Sequence, residues 1–156
     1  MKISGLDKKI LLQLIKNSRQ PVSAIAKKVG TTRQTVAKRI RVLKDLDIIR
    51  SFTVKPRPEY FDLSIKAFIF LKEEPKSELR KRNAEFIKKL PQVSEFYRIF
   101  GRNDAVVEVW TRDKDELTKL VEKIHRLKGI RSTETFIVHS TYKYKPEDPF
   151  IWVLKE

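Results

Sequence analysis

Three observations predict an α+β chain of two parts. Apolar residues recur at helical spacing through the first 46 residues. From residue 64 apolar strand-like segments alternate with helical ones, and a proline-punctuated stretch, "KPRPEYFDL", separates the two rhythms. The parts read as a helix-turn-helix domain (winged-helix-like) over 1–50, a connecting strand and linker over 51–63, a ferredoxin-like βαββαβ domain over 64–140, and a C-terminal tail over 141–156.

In the first part, Ile10, Leu11, Leu14 and Ile15 line one face of a helix from about Asp7 to Asn17, and Pro21 breaks it. Val22, Ile25, Ala26 and Val29 repeat at i, i+3, i+4 and i+7, and Gly30 supplies a stop. Thr31 or Thr32 caps the third helix. Gln34 stands three residues after Thr31, as a capping box requires, and the helix runs to about Leu46. Ala26 is small, which suits close packing of the second helix on the third. "IIRSFTV" alternates as a strand does.

The second part opens with "SIKAFIFLK", an apolar strand, and then a helix with Leu79, Phe86, Ile87 and Leu90 inward. "VSEFYRIF" and "AVVEVW" are strands joined by "GRND", a hairpin turn. Asp113 and Glu116 form a capping box for a helix bearing Leu117, Leu120, Val121, Ile124 and Leu127, and "IRSTETFIVH" closes as a strand. Right-handed crossovers make this order an antiparallel sheet with two helices on one face. The other face then needs cover, and Phe68, Phe70 and Ile137 are apolar enough to demand it. In the tail, "FIWVL" is expected to add an edge strand or dock on a neighbour.

Composition narrows the function. There is no cysteine, which excludes disulfides, thiol nucleophiles and thiolate metal sites. No apolar run approaches the roughly 18 residues of a membrane span, and "MKISGLDKKI" lacks the core of a signal peptide, so a cytoplasmic protein with no membrane partner is expected. A charged fraction of 35% with one methionine leans towards a heat-adapted source. The net charge of +15 is unevenly spread: residues 1–55 hold 14 Lys/Arg against 3 Asp/Glu, the remainder 21 against 17. A basic excess concentrated in one small module points to a polyanion.

The third helix gives that polyanion a place to bind. At about 100° per residue, Val36, Ile40 and Leu43 turn inward. Gln34, Lys38 and Arg41 point outward, with Thr32, Arg33 and Thr35 at the amino end and Arg39 adding to the charge. Amide, hydroxyl and guanidinium groups suit base edges, and lysines suit phosphates. A solvated basic helix would carry the same charge. The preceding turn and the caps favour double-stranded DNA instead.

These residues carry a resemblance that covers nearly the whole chain. "LDKKILLQLIKNSRQPVSAIAKKVGTTRQTVAKRIRVLKDLDIIRSF" resembles the DNA-binding domain of the Lrp/AsnC (feast/famine) transcriptional regulators of bacteria and archaea, and an archaeal member is expected. The leading Leu-Asp, the Ala-Lys-Lys-Val-Gly turn and Arg-Ile-x-x-Leu followed by Ile-Ile-Arg match in order. The βαββαβ part is similar to the family's effector-binding and oligomerisation domain, with Gly101 and Asp104 on its characteristic glycine and aspartate. Two positions depart: Asp47 stands where a glycine usually follows the third helix, and Asn103 where an aromatic often precedes the aspartate. The resemblance implies homodimers assembled further into tetramers or octamers, and a small-molecule effector, an amino acid above all. At "FGRNDA", Gly101 leaves backbone N–H groups uncovered for a carboxylate, Asp104 accepts an ammonium, and Arg102 and Asn103 flank them. Thr133 and Thr135 join the effector site by resemblance only. A plain hairpin turn, with Asn103 and Asp104 serving local geometry, is the competing reading.

Other classes find less support. No glycine-rich phosphate loop or Gly-x-Ser-x-Gly elbow is present, and His125 and His139 lack local partners. Asp113, Asp115 and Glu116 sit at a helix start, which explains acids without a metal. No catalytic residue, metal site or cofactor is therefore expected. Some sirohaem decarboxylases resemble the same family, but their recognition helices need not be basic; an effector-independent DNA-architectural protein is the other alternative. "VSEFYRIF" lacks the basic-glycine-aromatic pattern of an RNA-binding sheet. Tyr142, Tyr144, Phe150 and Trp152 read as packing or assembly groups.

Overall fold

The computed structural model describes residues 3–155. The chain divides into two compact units, one made of the first 55 residues with the segment from Lys143 onward, the other Pro56–Tyr142.

The first unit holds α1 (Gly5–Lys16), α2 (Val22–Val29), α3 (Arg33–Asp45) and a C-terminal helix, α6 (Asp148–Lys155). α1 starts earlier than its apolar stripe suggests, because Ser4 and Asp7 close a capping box. Ile10, Leu14, Ile25, Ala26 and Val36 form the core of the three helices, with Ile40 and Ile49 packed on its margin. Each fully buried Ile or Val side chain contributes about 1.5–3 kcal/mol. Gly30, at φ 72°, ends α2 in the left-handed region. The N–H groups of Gly30 and Thr31 both return to the Ala26 carbonyl. This commits Thr31 to closing α2, so Thr32 caps α3 by accepting from the Thr35 N–H (3.1 Å). The box between Thr31 and Gln34 does not form, and Gln34 stays exposed. Asp47 lies at φ 55° just beyond α3, performing in left-handed conformation the turn that glycine performs elsewhere.

Two further expectations change here. Residues 48–54 are not among the strands, because within one chain no neighbouring strand offers them a ladder. "FIWVL" is no edge strand either: it belongs to α6, which packs beside α1. Lys55 pairs with Glu147 (2.7 Å) at the base of this helix.

The second unit is built from β1 (Ile65–Glu73), α4 (Ser77–Ile87), β2 (Val93–Arg98), β3 (Ala105–Thr111), α5 (Lys114–His125) and β4 (Ile130–Ile137), after a 3-10 turn at Pro58–Phe61. The sheet is antiparallel in the order β2-β3-β1-β4, the ferredoxin-like arrangement. Ala67, Ile69 and Leu71 with Ala105, Val107 and Val109 face the helices, and Ile87, Leu90, Leu117, Leu120 and Ile124 complete the core. Phe86 is not inward as expected. The buried stripe of α4 runs through Asn83 and Ile87, and Phe86 lies outside it under the Lys123 ammonium (5.3 Å). Half of the expected box on α5 forms. Asp113 accepts from the Glu116 N–H (2.7 Å), but Glu116 reaches past it to the Arg112 N–H (3.0 Å) and to Gln92 (3.0 Å). Those contacts hold the Glu116 carboxyl down at about 2, Gln92 first among them.

The sheet's open face carries Phe68 and Phe70 of β1, Val106 and Trp110 of β3, and Phe136 of β4. Ile137 is not on it. Phe136 pairs with Phe68, so period-two alternation sends Ile137 to the helix side beside Ala67. Phe70 and Phe136 meet edge to face, ring centroids 5.5 Å apart. Lys66 and Glu108 pair on the same face at 3.0 Å, both largely covered. Among the described residues no helix is long and apolar enough to cross a membrane.

Candidate nucleic-acid interface and effector turn

α3 sorts its side chains as its spacing dictates. Val36 and Leu43 are buried, Ile40 is half-buried, and Gln34, Lys38 and Arg41 are exposed on the opposite side. Arg33 is exposed at the amino end, beside the hydroxyl pair of Thr32 and Thr35 (2.9 Å). Amide, ammonium and guanidinium donors thus line one side of a helix whose other side is locked in a core. A recognition helix needs that division of labour.

Arg39 is placed differently from its neighbours. Its Nε donates to Asp7 Oδ1 (2.7 Å) and its Nη2 to Oδ2 (2.5 Å), a two-pronged bond to a carboxylate that is 3% exposed. The Arg39 hydrogen bond, with help from Ser4 and against the cost of burial, holds the Asp7 carboxyl below its usual range. Arg39 is therefore committed to α1 and is withdrawn from the candidate DNA face. Spacing hinted at this, since Arg39 is three residues from Val36, on the margin of the buried stripe.

The expected effector residues fall into two groups that one chain does not bring together. Gly101, at φ 140°, sits in the β2–β3 connection between a fully exposed Phe100 and Arg102. The connection is closed by the Ile99 N–H on the Asp104 carbonyl (3.1 Å). Asn103 and Asp104 are half-buried. Both Asp104 oxygens are in use: Oδ2 accepts from the Glu73 N–H (2.8 Å) and Oδ1 from Arg80 Nη2 (2.9 Å). Thr133 and Thr135 lie on β4, separated from β3 by β1, and point to the helix side opposite Leu71 and Ile69. Thr133 approaches His125 Nδ1 (3.4 Å), so this histidine has a partner that local sequence did not reveal.

Sequence reading missed Glu73, Arg80 and Arg98, which surround the turn. The available signal was register. Ala67, Ile69 and Leu71 alternate inward, and Glu73 is the next inward position, an acid where the pattern asks for an apolar residue. It is buried and paired with Arg98. Burial there pushes the Arg98 guanidinium down from its usual value, with Asp104 acting against that shift.

Comparison with known proteins finds two family models on this chain. Residues 3–44 match the model of the AsnC-type helix-turn-helix domain, and residues 66–148 match that of the Lrp/AsnC ligand binding domain. The chain is 37% identical to an HTH-type transcriptional regulator of Pyrococcus furiosus over 88% of its own length and 93% of the relative's. That source fits the archaeal expectation. Among solved structures, an AsnC family transcriptional regulator from Agrobacterium tumefaciens superimposes with a TM-score of 0.87 at 26% identity, covering 96% of this chain and 99% of that one. A Neisseria meningitidis transcriptional regulator, solved as an L-Met complex, shares the fold with a TM-score of 0.86 at 21% identity, covering 95% and 99%. The chain belongs to the Lrp/AsnC family of DNA-binding transcriptional regulators.

Proposed function

We propose that this regulator acts as a homodimer, able to build tetramers or octamers, that lays one α3 in each of two successive major grooves and answers to an amino acid. The observation that carries the reading is the exposed row of Gln34, Lys38 and Arg41 on a helix whose other side is buried in a well-packed core. Lysine and arginine neutralise phosphates, Gln34 reads a base edge, and Thr32, Arg33 and Thr35 meet the backbone at the helix start. The open sheet face supports the dimer. Phe68, Phe70, Trp110 and Phe136 form an apolar patch that a second sheet would cover, with the 48–54 segments pairing across the two-fold axis. Recognition helices related by that axis would then meet half-sites about 34–36 Å apart, or a multiple.

An amino acid is the effector best suited to the 99–104 connection. Gly101 leaves backbone amides open to a carboxylate, and Asp104 offers the opposite charge for an ammonium. A fold neighbour solved with L-Met supports this class of ligand. Thr133 and Thr135 of β4, separated from β3 by β1, are further candidates for the site. The saturation of Asp104 within one chain favours a second reading, an effector-independent regulator. Footprinting on the regulator's own promoter while amino acids are titrated separates the two. Protected half-sites that shift with an amino acid support the first reading, and protection indifferent to all of them supports the second.

A further inference from the structure

Four charged side chains from four elements meet at the end of the sheet beside the 99–104 connection. Glu73 ends β1, Arg80 lies in α4, Arg98 ends β2 and Asp104 precedes β3. The Glu73 side chain is 1% exposed and pairs with Arg98, whose Nη2 also donates to the Arg80 carbonyl (3.0 Å). Arg80 is more heavily engaged. Nη2 holds Asp104 Oδ1 (2.9 Å) and the Glu73 carbonyl (3.3 Å), and Nε holds the Glu74 carbonyl (2.9 Å). The Glu73 N–H takes the second Asp104 oxygen (2.8 Å). Two acids and two arginines balance in formal charge.

This arrangement constrains what can bind Asp104. A simple amine would have to displace Arg80, leaving a guanidinium without its carboxylate in a partly covered site, and would gain one ion pair by breaking another. A zwitterion escapes that penalty, because its carboxylate satisfies the arginine its ammonium has displaced. We propose that Arg80 selects the effector by ion-pair exchange: the ligand's carboxylate takes Arg80 while its ammonium takes Asp104. The proposal rests on the reading that this connection receives an amino acid, and it makes Arg80, rather than the amides beside Gly101, the main holder of the carboxylate. It also supplies regulation. Arg80 pins the Glu73 and Glu74 carbonyls, so moving it loosens the β1–α4 connection and gives the ligand a differential hold on two states of the domain.

The test is calorimetry on the full chain with the twenty standard amino acids, followed by the carboxamide of each one that binds. The carboxamide keeps the ammonium and loses the anion. In the wild type it should bind about 10- to 100-fold more weakly than its parent, the range expected for one charged hydrogen-bonded contact. In Arg80→Gln the parent should weaken while the carboxamide does not, so that the ratio falls below about threefold. Arg80→Lys, which keeps the charge without the fork, should lie between. An Arg80→Gln protein with the wild-type ratio overturns the exchange. A wild type that binds parent and carboxamide equally overturns it without any variant, while leaving the amino-acid reading intact. A wild type that binds none of the twenty overturns both.

Discussion

Asp7 on α1 and Arg39 on α3, 32 positions apart in the chain, are joined by two parallel hydrogen bonds of 2.7 and 2.5 Å. This bond fixes the rotation of the recognition helix against the first helix, and so decides which of its side chains face outward. It also ties the capping box of α1 to α3, since the same Asp7 carboxylate accepts from Ser4.

Asp7→Ala should cost about 2–3 kcal/mol, less than the roughly 3–5 of a fully buried pair because Arg39 is a third exposed and can rehydrate. Asp7 has a lowered carboxyl value in the folded protein. Its contribution is therefore complete above the unfolded carboxylate range of about 3.9 and fades as pH falls from there through the folded value. Thermal melts of wild type and Asp7→Ala should converge on acidification. A constant gap at every pH would assign the loss to packing.

Glu116 offers a second acid-sensitive contact, in the other unit. Its carboxyl is held at about 2. The stability it supplies is present above about 4.3, the unfolded value, and is lost as pH falls towards 2. Glu116→Gln should cost about 1–2 kcal/mol at pH 7 and flatten the acid limb of the stability curve between those values. An unaltered acid limb would show that Gln92 and Arg112 do not favour the ionised form.

Asp47→Gly should stabilise the first unit by about 0.5–1 kcal/mol, because glycine adopts φ 55° without the penalty an L side chain meets there. A melt rising by roughly 3–6 °C is the expected readout for a unit of this size. A fall would mean that the Asp47 side chain makes a contribution of its own.

Phe70→Glu places a charge in the middle of the open sheet face, beside Phe136. If that face joins two copies, light scattering should report twice the chain mass of 18.4 kDa or more for the wild type and a monomer for the variant. A wild-type monomer at micromolar concentration would contradict the assembly.

Much of this was legible in the sequence because it depends on local periodicity. The α3 face, the turn at Gly30, the βαββαβ order and the two cores follow from spacings of two, three and four residues. What was illegible depends on partners far along the chain. Arg39 reads as one more basic residue until Asp7 is beside it, and Asp104 reads as a free carboxylate until Arg80 and the Glu73 N–H claim it. The 48–54 segment depends on a partner outside the chain. Its alternation reads as a strand, but a strand needs a neighbour, and one chain supplies none. The "FIWVL" stretch left an edge strand or a docking segment open because a short apolar run fits a strand and a helix equally well, and it folds as a helix with Phe150 and Trp152 exposed.

If the exposed side of α3 meets DNA, the salt dependence of binding will report that contact. Affinity for a promoter duplex should fall linearly on log–log axes as salt rises, with a slope of about 0.9 for each phosphate neutralised. The Lys38→Ala, Arg41→Ala double variant should lower that slope by up to about 1.8 while melting like the wild type, since both side chains are exposed and outside the core. Gln34→Ala should leave the slope unchanged and relax preference at one base pair by about 1–3 kcal/mol. A folded double variant with wild-type affinity and slope would contradict the account, and would move the DNA-binding surface away from this helix.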